Sequence, residues 1–373
     1  MRTFALFTVA LGLFAADIAP AQGKKGKDDK EEKKDASLIR DIGGRTLDEW
    51  IKDINHKDPG RRATAMSTVL LFGPDRAYQA LPAILEQLNK HTLSAPLDVS
   101  VRVNGATALG LIIGSAKEPD PKHVKQAVTI LERLCKDSQA IVKFRAVQAL
   151  GRIGEDARGA INVVLPILRD TYTCEARQAA AITLGQIALD KVKGPPIKVL
   201  EELYKSLGDH SAQVRLAAIQ SLTWLGAPGD AKAQNALVAA LDPVAHKDPE
   251  PTVQIWAHMA VMSVTHDVST ARVGLICKML GHAEVPIRMQ AAQAIGTIGP
   301  KAKSCIPALM EALTDKDPGV IMVTIWALSR MEEDARRAVP ALEKMSKDAD
   351  MPEIIQLTAK EAIKHISGKK KEK

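Results

Sequence analysis

Aromatic side chains make up only 3% of this 373-residue chain. Proteins that grip nucleic acid stack bases on aromatic platforms and gather basic residues on one face. No nucleic-acid partner is therefore expected, although the formal net charge is +7. Much of that charge sits outside any fold. Residues 24–35 carry six lysines against five acids, and residues 369–373 carry four lysines against one acid. Long apolar runs are as scarce. Only Phe4–Ala16 forms one; Arg2 precedes it and the small-x-small pattern Ala19-Pro20-Ala21 follows. This reads as a secretory signal peptide over residues 1–21, too short to anchor the chain in a bilayer. No cysteine follows to carry a lipid, and no other stretch reaches spanning length. The chain is expected to be exported, periplasmic or secreted, with no transmembrane segment in its mature part. Residues 22–44 read as a charged disordered linker and 369–373 as a Lys-rich tail.

Catalytic motifs are missing too. The chain has no Gly-x-Ser-x-Gly elbow, no phosphate-binding Gly-Lys-Ser/Thr loop and no paired-cysteine metal spacing. No catalytic residue, cofactor or metal site is expected. What the chain does have is repetition. Arg62, Arg102, Lys143, Arg177, Arg215, Gln254, Arg288, Ile321 and Gln356 are equivalent points, spaced 33 to 41 residues apart. Seven positions after each point the residue is always apolar, from Val69 and Leu109 to Leu328 and Ile363. Ten positions after, it is apolar again, from Phe72 and Ile112 to Met331 and Ile366. Positions +3 and +6 are small, as in Ala146/Ala149 and Ala291/Ala294. A period of this length predicts a stacked helical array whose units bury their apolar faces only against each other.

Each unit reads as two antiparallel helices. The second starts at a capping residue four positions before the reference point: Asp58, Asp98, Thr173, Ser211 or Asp317. Their side chains can accept hydrogen bonds from the open N–H groups of the first turn. Gly154, Gly226 and Gly299 are placed to end three of these helices. First helices carry Pro-x-Leu/Ile patterns around Pro82, Pro166, Pro307 and Pro340, so each proline must lie in a first turn or kink its helix. Small residues at +3 and +6 predict that the second helices pack closely as an inner layer. Cys277 and Cys305, on neighbouring first helices, are counted about a turn and a half out of register. That places them beyond disulfide reach, so free thiols are expected.

Segments such as Val142–Gly154 and Val214–Leu222 resemble HEAT repeats, and more narrowly the bacterial HEAT-like repeats of the phycobilisome-lyase-like class. The resemblance covers residues 45–368 and implies an all-α fold, a right-handed, armadillo-like α-solenoid of about nine helix pairs. It also implies an inter-repeat ladder, in which an Arg at the reference point pairs with an Asp near the preceding turn. Arg62, Arg102, Lys143, Arg177, Arg215 and Arg288 suit that ladder; Gln254, Ile321 and Gln356 depart from it. Deoxyhypusine hydroxylase, a HEAT-repeat enzyme, takes iron from His-Glu pairs, and none of the nine histidines here precedes Glu.

Positions +2, +5 and +9 of the second helices form a separate, variable and often polar stripe at i, i+3, i+7 spacing. It is expected to face away from the packing and to line the concave surface. Arg145, Gln148 and Arg152 lie on it in repeat three. Trp224, Trp256, Met259, Trp326 and Arg330 lie on it in repeats five to eight. Tryptophan and arginine are enriched at binding hot spots, which makes these eight residues the candidate partner-binding set. The tryptophans equally suit a gap-filling role between repeats. His258 takes the +4 position and is expected to be a hydrogen-bonded structural histidine; His210, His246 and His282 fall near inter-helix turns as solvated residues. The leading reading is an exported, non-enzymatic scaffold binding a protein or peptide, with no cofactor. The alternatives are a lyase-class HEAT-like enzyme and attachment to an acidic polymer or envelope surface through the Lys-rich tails.

Overall fold

A computed structural model of the chain describes residues 39–91, 97–169, 173–190, 194–226 and 231–368. The expected signal peptide, the charged run over 24–35 and the tail over 369–373 lie outside the described residues. The chain divides into two compact units, residues 1–225 and 226–373.

The first unit opens on a short hairpin, β1 (Asp41–Ile42) and β2 (Arg45–Thr46), with Asp41 paired to Thr46. Gly43 and Gly44 turn it at φ 62° and 72°, a region that favours glycine. The linker expected to run to residue 44 therefore ends inside ordered structure. Thr46 donates its N–H to Glu49 at 2.8 Å, and this starts α1 (Leu47–Asp53). Arg45 and Arg61 both reach Asp53 at 2.8 Å. Hydrogen bonds from these two guanidinium groups hold the Asp53 carboxyl down to about 2. The hairpin, α1 and α2 (Pro59–Thr68) are thereby tied together.

The pairs then repeat. After α3 (Pro74–Ala77) come α4 (Leu81–Asn89) with α5 (Val99–Ser115) and α6 (Pro121–Leu134) with α7 (Ala140–Ile153). They are followed by α8 (Ile161–Leu168) with α9 (Cys174–Ile187) and α10 (Ile197–Ser206) with α11 (Ala212–Leu225). The second unit continues the scheme with α12 (Ala231–Lys247), α13 (Pro251–Thr265), α14 (Thr270–Lys278) and α15 (Val285–Ile298). It ends with α16 (Ile306–Ala312), α17 (Pro318–Ser329), α18 (Val339–Lys347) and α19 (Glu353–Ile366). The expected all-α solenoid of helix pairs is the architecture found.

Local sequence explains the ends of these helices. Asp58 accepts from Gly60 and Arg61, Asp98 from Ser100, Thr173 from Ala176, and Asp317 from Gly319 and Val320. Gly154, Gly226 and Gly299 adopt φ of 75°, 68° and 70°, as their helix-ending role demands. Pro82, Pro307 and Pro340 sit in first turns, whereas Pro166 lies inside α8.

Burial follows the repeat register. All +7 residues are buried except Ile363 of α19, and the +3 residues are buried throughout. Within the first unit α5, α7, α9 and α11 pack successively, and within the second α15, α17 and α19 do so. The approach is close enough to require glycine at +8. A Cβ on Gly110 would lie 2.6 Å from the Ala149 Cα, and one on Gly185 would lie 2.6 Å from the Ser221 Oγ. Small +6 residues also bond across: Thr183 donates to the Val147 carbonyl at 2.9 Å and Ser221 to the Ala181 carbonyl at 2.8 Å. This is the close inner layer that Ala and Gly spacing predicts.

Candidate functional site

The reference position builds a recurring polar joint. Arg102 meets Asp137, Arg177 meets Asp209 and Arg288 meets Asp315, each at 2.7 Å. Each acid lies in the turn of the following repeat, six positions before that repeat's own reference point. The expected direction of pairing, toward an Asp near the preceding turn, is thus corrected. The arginine's preceding turn supplies carbonyl oxygens instead: Arg62 donates to His56 O and Lys57 O, Arg215 to Asp209 O and His210 O, and Arg288 to His282 O and Ala283 O. Gln254 and Gln356 keep this carbonyl half, binding Asp248 O at 2.6 Å and Asp348 O at 3.0 Å. The acid also braces its own turn, since Asp137, Asp209 and Asp315 accept the N–H two residues on at 2.8 to 2.9 Å. His56 and His282 make that same bond with Nδ1. Repeat six has Gln254 in place of arginine, and the next turn correspondingly offers His282 rather than an acid. Aspartate at −6 recurs in the sequence, which was the signal for these partners.

The ladder is structural because its charges are consumed. Arg288 holds the Asp315 carboxyl below its usual range and Arg177 does the same for Asp209. In the first joint Asp137 also faces the buried His91 at 3.7 Å. Burial, then the Arg102 charge, lowers the His91 imidazole below its ordinary value.

The +2, +5 and +9 stripe is open at most positions, although its +2 members Ala179, Ala217 and Val323 are buried. In the first unit Arg145, Gln148 and Trp224 are half-buried and Arg152 is exposed; Arg145 donates to the Gln148 Oε1 at 3.1 Å. In the second unit Trp256 is half-buried, while Trp326 and Arg330 are exposed. Trp326 retains 36% of its surface, yet its ring covers the bare backbone of Gly296 on α15, where a Cβ would come within 2.3 Å of Cζ3. This tryptophan both packs and faces solvent. Met259 does not belong with the set: at 6% exposure it is buried, within the run Ala257–Met262 of α13 in which every residue is buried. Trp224 lies in the first unit and the other two tryptophans in the second, on α13 and α17 with α15 between them.

His258 is structural, as its +4 position predicts, but its surroundings were not foreseen. It is 1% exposed. His246 meets it edge-on at 5.0 Å, and the Arg272 Nη1 lies 3.4 Å from its Nδ1. Arg272 in turn pairs with Asp242 at 2.5 Å, and the His246 Nδ1 lies 2.9 Å from the Asp242 carbonyl oxygen. His246 is therefore part of a packed cluster, not only a solvated turn residue. Burial, helped by the His246 and Arg272 charges, pushes the His258 imidazole down to about 4.

All four cysteines are unbridged. Cys277 and Cys305, counted as beyond disulfide reach, are free as expected, and a hydrogen bond between their thiols lowers that of Cys277 and raises that of Cys305. The Cys305 Sγ also sits 3.8 Å from the Val273 carbonyl, one turn before Cys277 on α14. Cys305 ends a 3-10 stretch, Gly299–Cys305, and does not lie within an α-helix, which sets the two thiols closer than α-helical counting implies.

Among the described residues no helix is long and apolar enough to cross a membrane, and no group of three or more His, Cys, Asp or Glu is placed to hold a metal ion. A comparison with curated protein sequences found no match. Among solved structures the chain is similar to Kap121p bound to Pho4p, with 13% identity over 86% of this chain and 37% of that one, at a TM-score of 0.55. A homology model of the full-length AP-3 complex matches at 14% identity over 82% of this chain and 54% of that one, TM-score 0.54. A designed armadillo repeat protein in complex with the peptide (KR)4 matches at 17% identity over 68% and 99%, TM-score 0.42. The model of the family described as HEAT repeats matches residues 93–185, 161–262 and 273–364, and with it the repeat register, the caps and the inner layer agree: the chain belongs to the HEAT-repeat family.

Proposed function

We propose that this chain is a non-enzymatic, exported scaffold that binds a protein or peptide along the +2, +5 and +9 stripe of its second helices. The observation that carries this reading is the division of labour within those helices. Positions +3 and +7 are consumed by packing, whereas the stripe keeps Arg152, Trp326 and Arg330 exposed and Gln148, Gln293 and Trp224 half-open. Repeat arrays of this fold offer extended surfaces for partners; Kap121p, whose fold this chain shares, is seen bound to Pho4p. Export rests on the sequence of residues 1–21 alone. Among the described side chains, the buried Arg–Asp pairs and the His258 cluster serve joints between helices. A photo-crosslinking residue placed at Gln148, Trp326 or Arg330 tests the reading. Crosslinks to a partner from these positions, absent from exposed first-helix positions such as Lys122 and Lys344, are expected. Equal or stronger crosslinking from the first helices would overturn it.

A further inference from the structure

Charge is distributed unequally within the first unit. Its five second helices, α2, α5, α7, α9 and α11, carry eight arginines and lysines against a single acid, Glu175. Several of these cations are committed to the fold. Arg61 holds Asp53, Arg102 holds Asp137, Arg177 holds Asp209, and Arg62 and Arg215 donate to turn carbonyls. Two are held by neither an acid nor a turn carbonyl. Arg145 is steadied only by the neutral Gln148 amide and lies beside the Phe144 ring at 5.4 Å. Arg152, two turns further along the same face of α7, makes no hydrogen bond or ion pair with a described residue. Its guanidinium reaches solvent, yet burial and the neighbouring Arg145 charge pull its pKa below the usual value. A cation in such a position gains from any anion that arrives, because nothing nearby compensates it.

The neighbours on the stripe are amides. Gln186 on α9 and Gln220 on α11 are half-buried and make no hydrogen bond with a described residue. An amide offers both donors and an acceptor, as does a peptide group. The charged groups of a sulfated or phosphorylated polymer only accept hydrogen bonds, whereas a peptide segment offers a backbone donor and acceptor at nearly every residue.

We propose that this stripe takes an acidic peptide segment, an extended stretch of a partner rich in Asp or Glu. Arg145 and Arg152 hold its carboxylates, and Gln148, Gln186 and Gln220 bond its backbone. The inference rests on the scaffold reading and adds the chemistry of the partner. The arginines stand about 10.5 Å apart along the helix axis, from seven residues at 1.5 Å each, so one short segment can reach both.

The test uses the whole mature chain and a short fluorescein-labelled peptide of alternating Glu and Ser, read by fluorescence anisotropy. Binding is expected to weaken at least about tenfold in R145Q/R152Q and by a smaller factor in Q186L/Q220L. It should be unchanged in K122Q/K125Q, which removes the same charge from exposed positions on α6. R145K/R152K, which keeps the charge without the fork, should lose only part of the affinity, and thermal melts of each variant establish that it is folded. An equal loss in K122Q/K125Q, or equal binding of the Gln/Ser peptide, overturns the proposal. So does tighter binding of a heparin fragment that ignores the glutamines. Should the Glu/Ser peptide fail to bind while crosslinking still places a partner on the stripe, the partner chemistry is wrong and the scaffold reading stands. Should crosslinking also fail, both fall.

Discussion

A buried imidazole makes the second unit sensitive to mild acid. His258 is pushed down to about 4 by burial and by the charges of His246 and Arg272, against an ordinary value of 6.5. The unfolded chain therefore binds a proton more readily than the folded one between these values. Stability is full above pH 6.5 and falls as the pH drops toward 4. At pH 5 the loss is about 2 kcal/mol, from linkage at about 1.4 kcal/mol per unit. Urea unfolding at pH 7 and pH 5 measures it, and H258L should lose that part of the slope. Asp242 faces the same cluster, but Arg272 keeps it ionised, so it does not titrate in this window. Gly296 is a second residue with a disproportionate role. A methyl there would meet the Trp326 ring at 2.3 Å and the Ala327 Cα at 2.9 Å. G296A should destabilise by about 1–3 kcal/mol through overpacking, visible as a lower melting temperature and an altered Trp326 emission. An unchanged melt would mean the helices separate without cost. The histidine environment was not legible in the sequence, because Asp242, His246 and Arg272 come from two other helices. The Gly296 contact was half legible: the repeat signals a close approach, but not which side chain fills it.

At the level of the element, the turn after several of the second helices takes a positive-φ residue. Gly73, Gly154, Gly226 and Gly299 supply it eleven positions after their reference points, with φ from 68° to 89°. Repeat eight has Glu332 there at φ 52°. A side chain in this region costs about 1–2 kcal/mol, so E332G should stabilise the second unit by about 1 kcal/mol in denaturant titrations. No gain would show that the glutamate side chain compensates for its backbone. Caps at Asp58, Asp98, Thr173 and Asp317 were readable because capping is a contact between residues two or three apart. The Arg–Asp joints were readable only in part. The residue types stood out, but the pairing runs forward to the next repeat, and only the stacking offset decides that direction. The packing of α14 on the 3-10 segment sets Cys277 beside Cys305, while both stay free as the sequence predicts.

For the whole molecule, a repeat array couples each unit chiefly to its neighbours. In the second unit, I295A on α15 removes a fully buried side chain. It should cost about 2–4 kcal/mol. Hydrogen exchange should quicken in α15 first, then in the adjoining α13 and α17, and least in α19. Uniform quickening over the unit would show global cooperativity instead. Within each unit the stripe keeps side chains open to solvent: Arg145, Arg152 and the amides in the first, Trp326 and Arg330 in the second. Its periodic position was legible from the register. Which of its members reach solvent was not, as Met259 shows by being buried.

Sequence alone determined that the chain is a series of helix pairs, where many of the helices start and stop, and most of the positions that enter the core. These depend on periodicity and on contacts a few residues apart, and nine copies of one pattern average out local exceptions. Tertiary structure decided the partner of each reference arginine, the contact between the two thiols, the environment of His258 and the double role of Trp326. Each of these depends on the offset and spacing between helices that are distant in sequence, and an ångström-scale shift there changes which side chains meet.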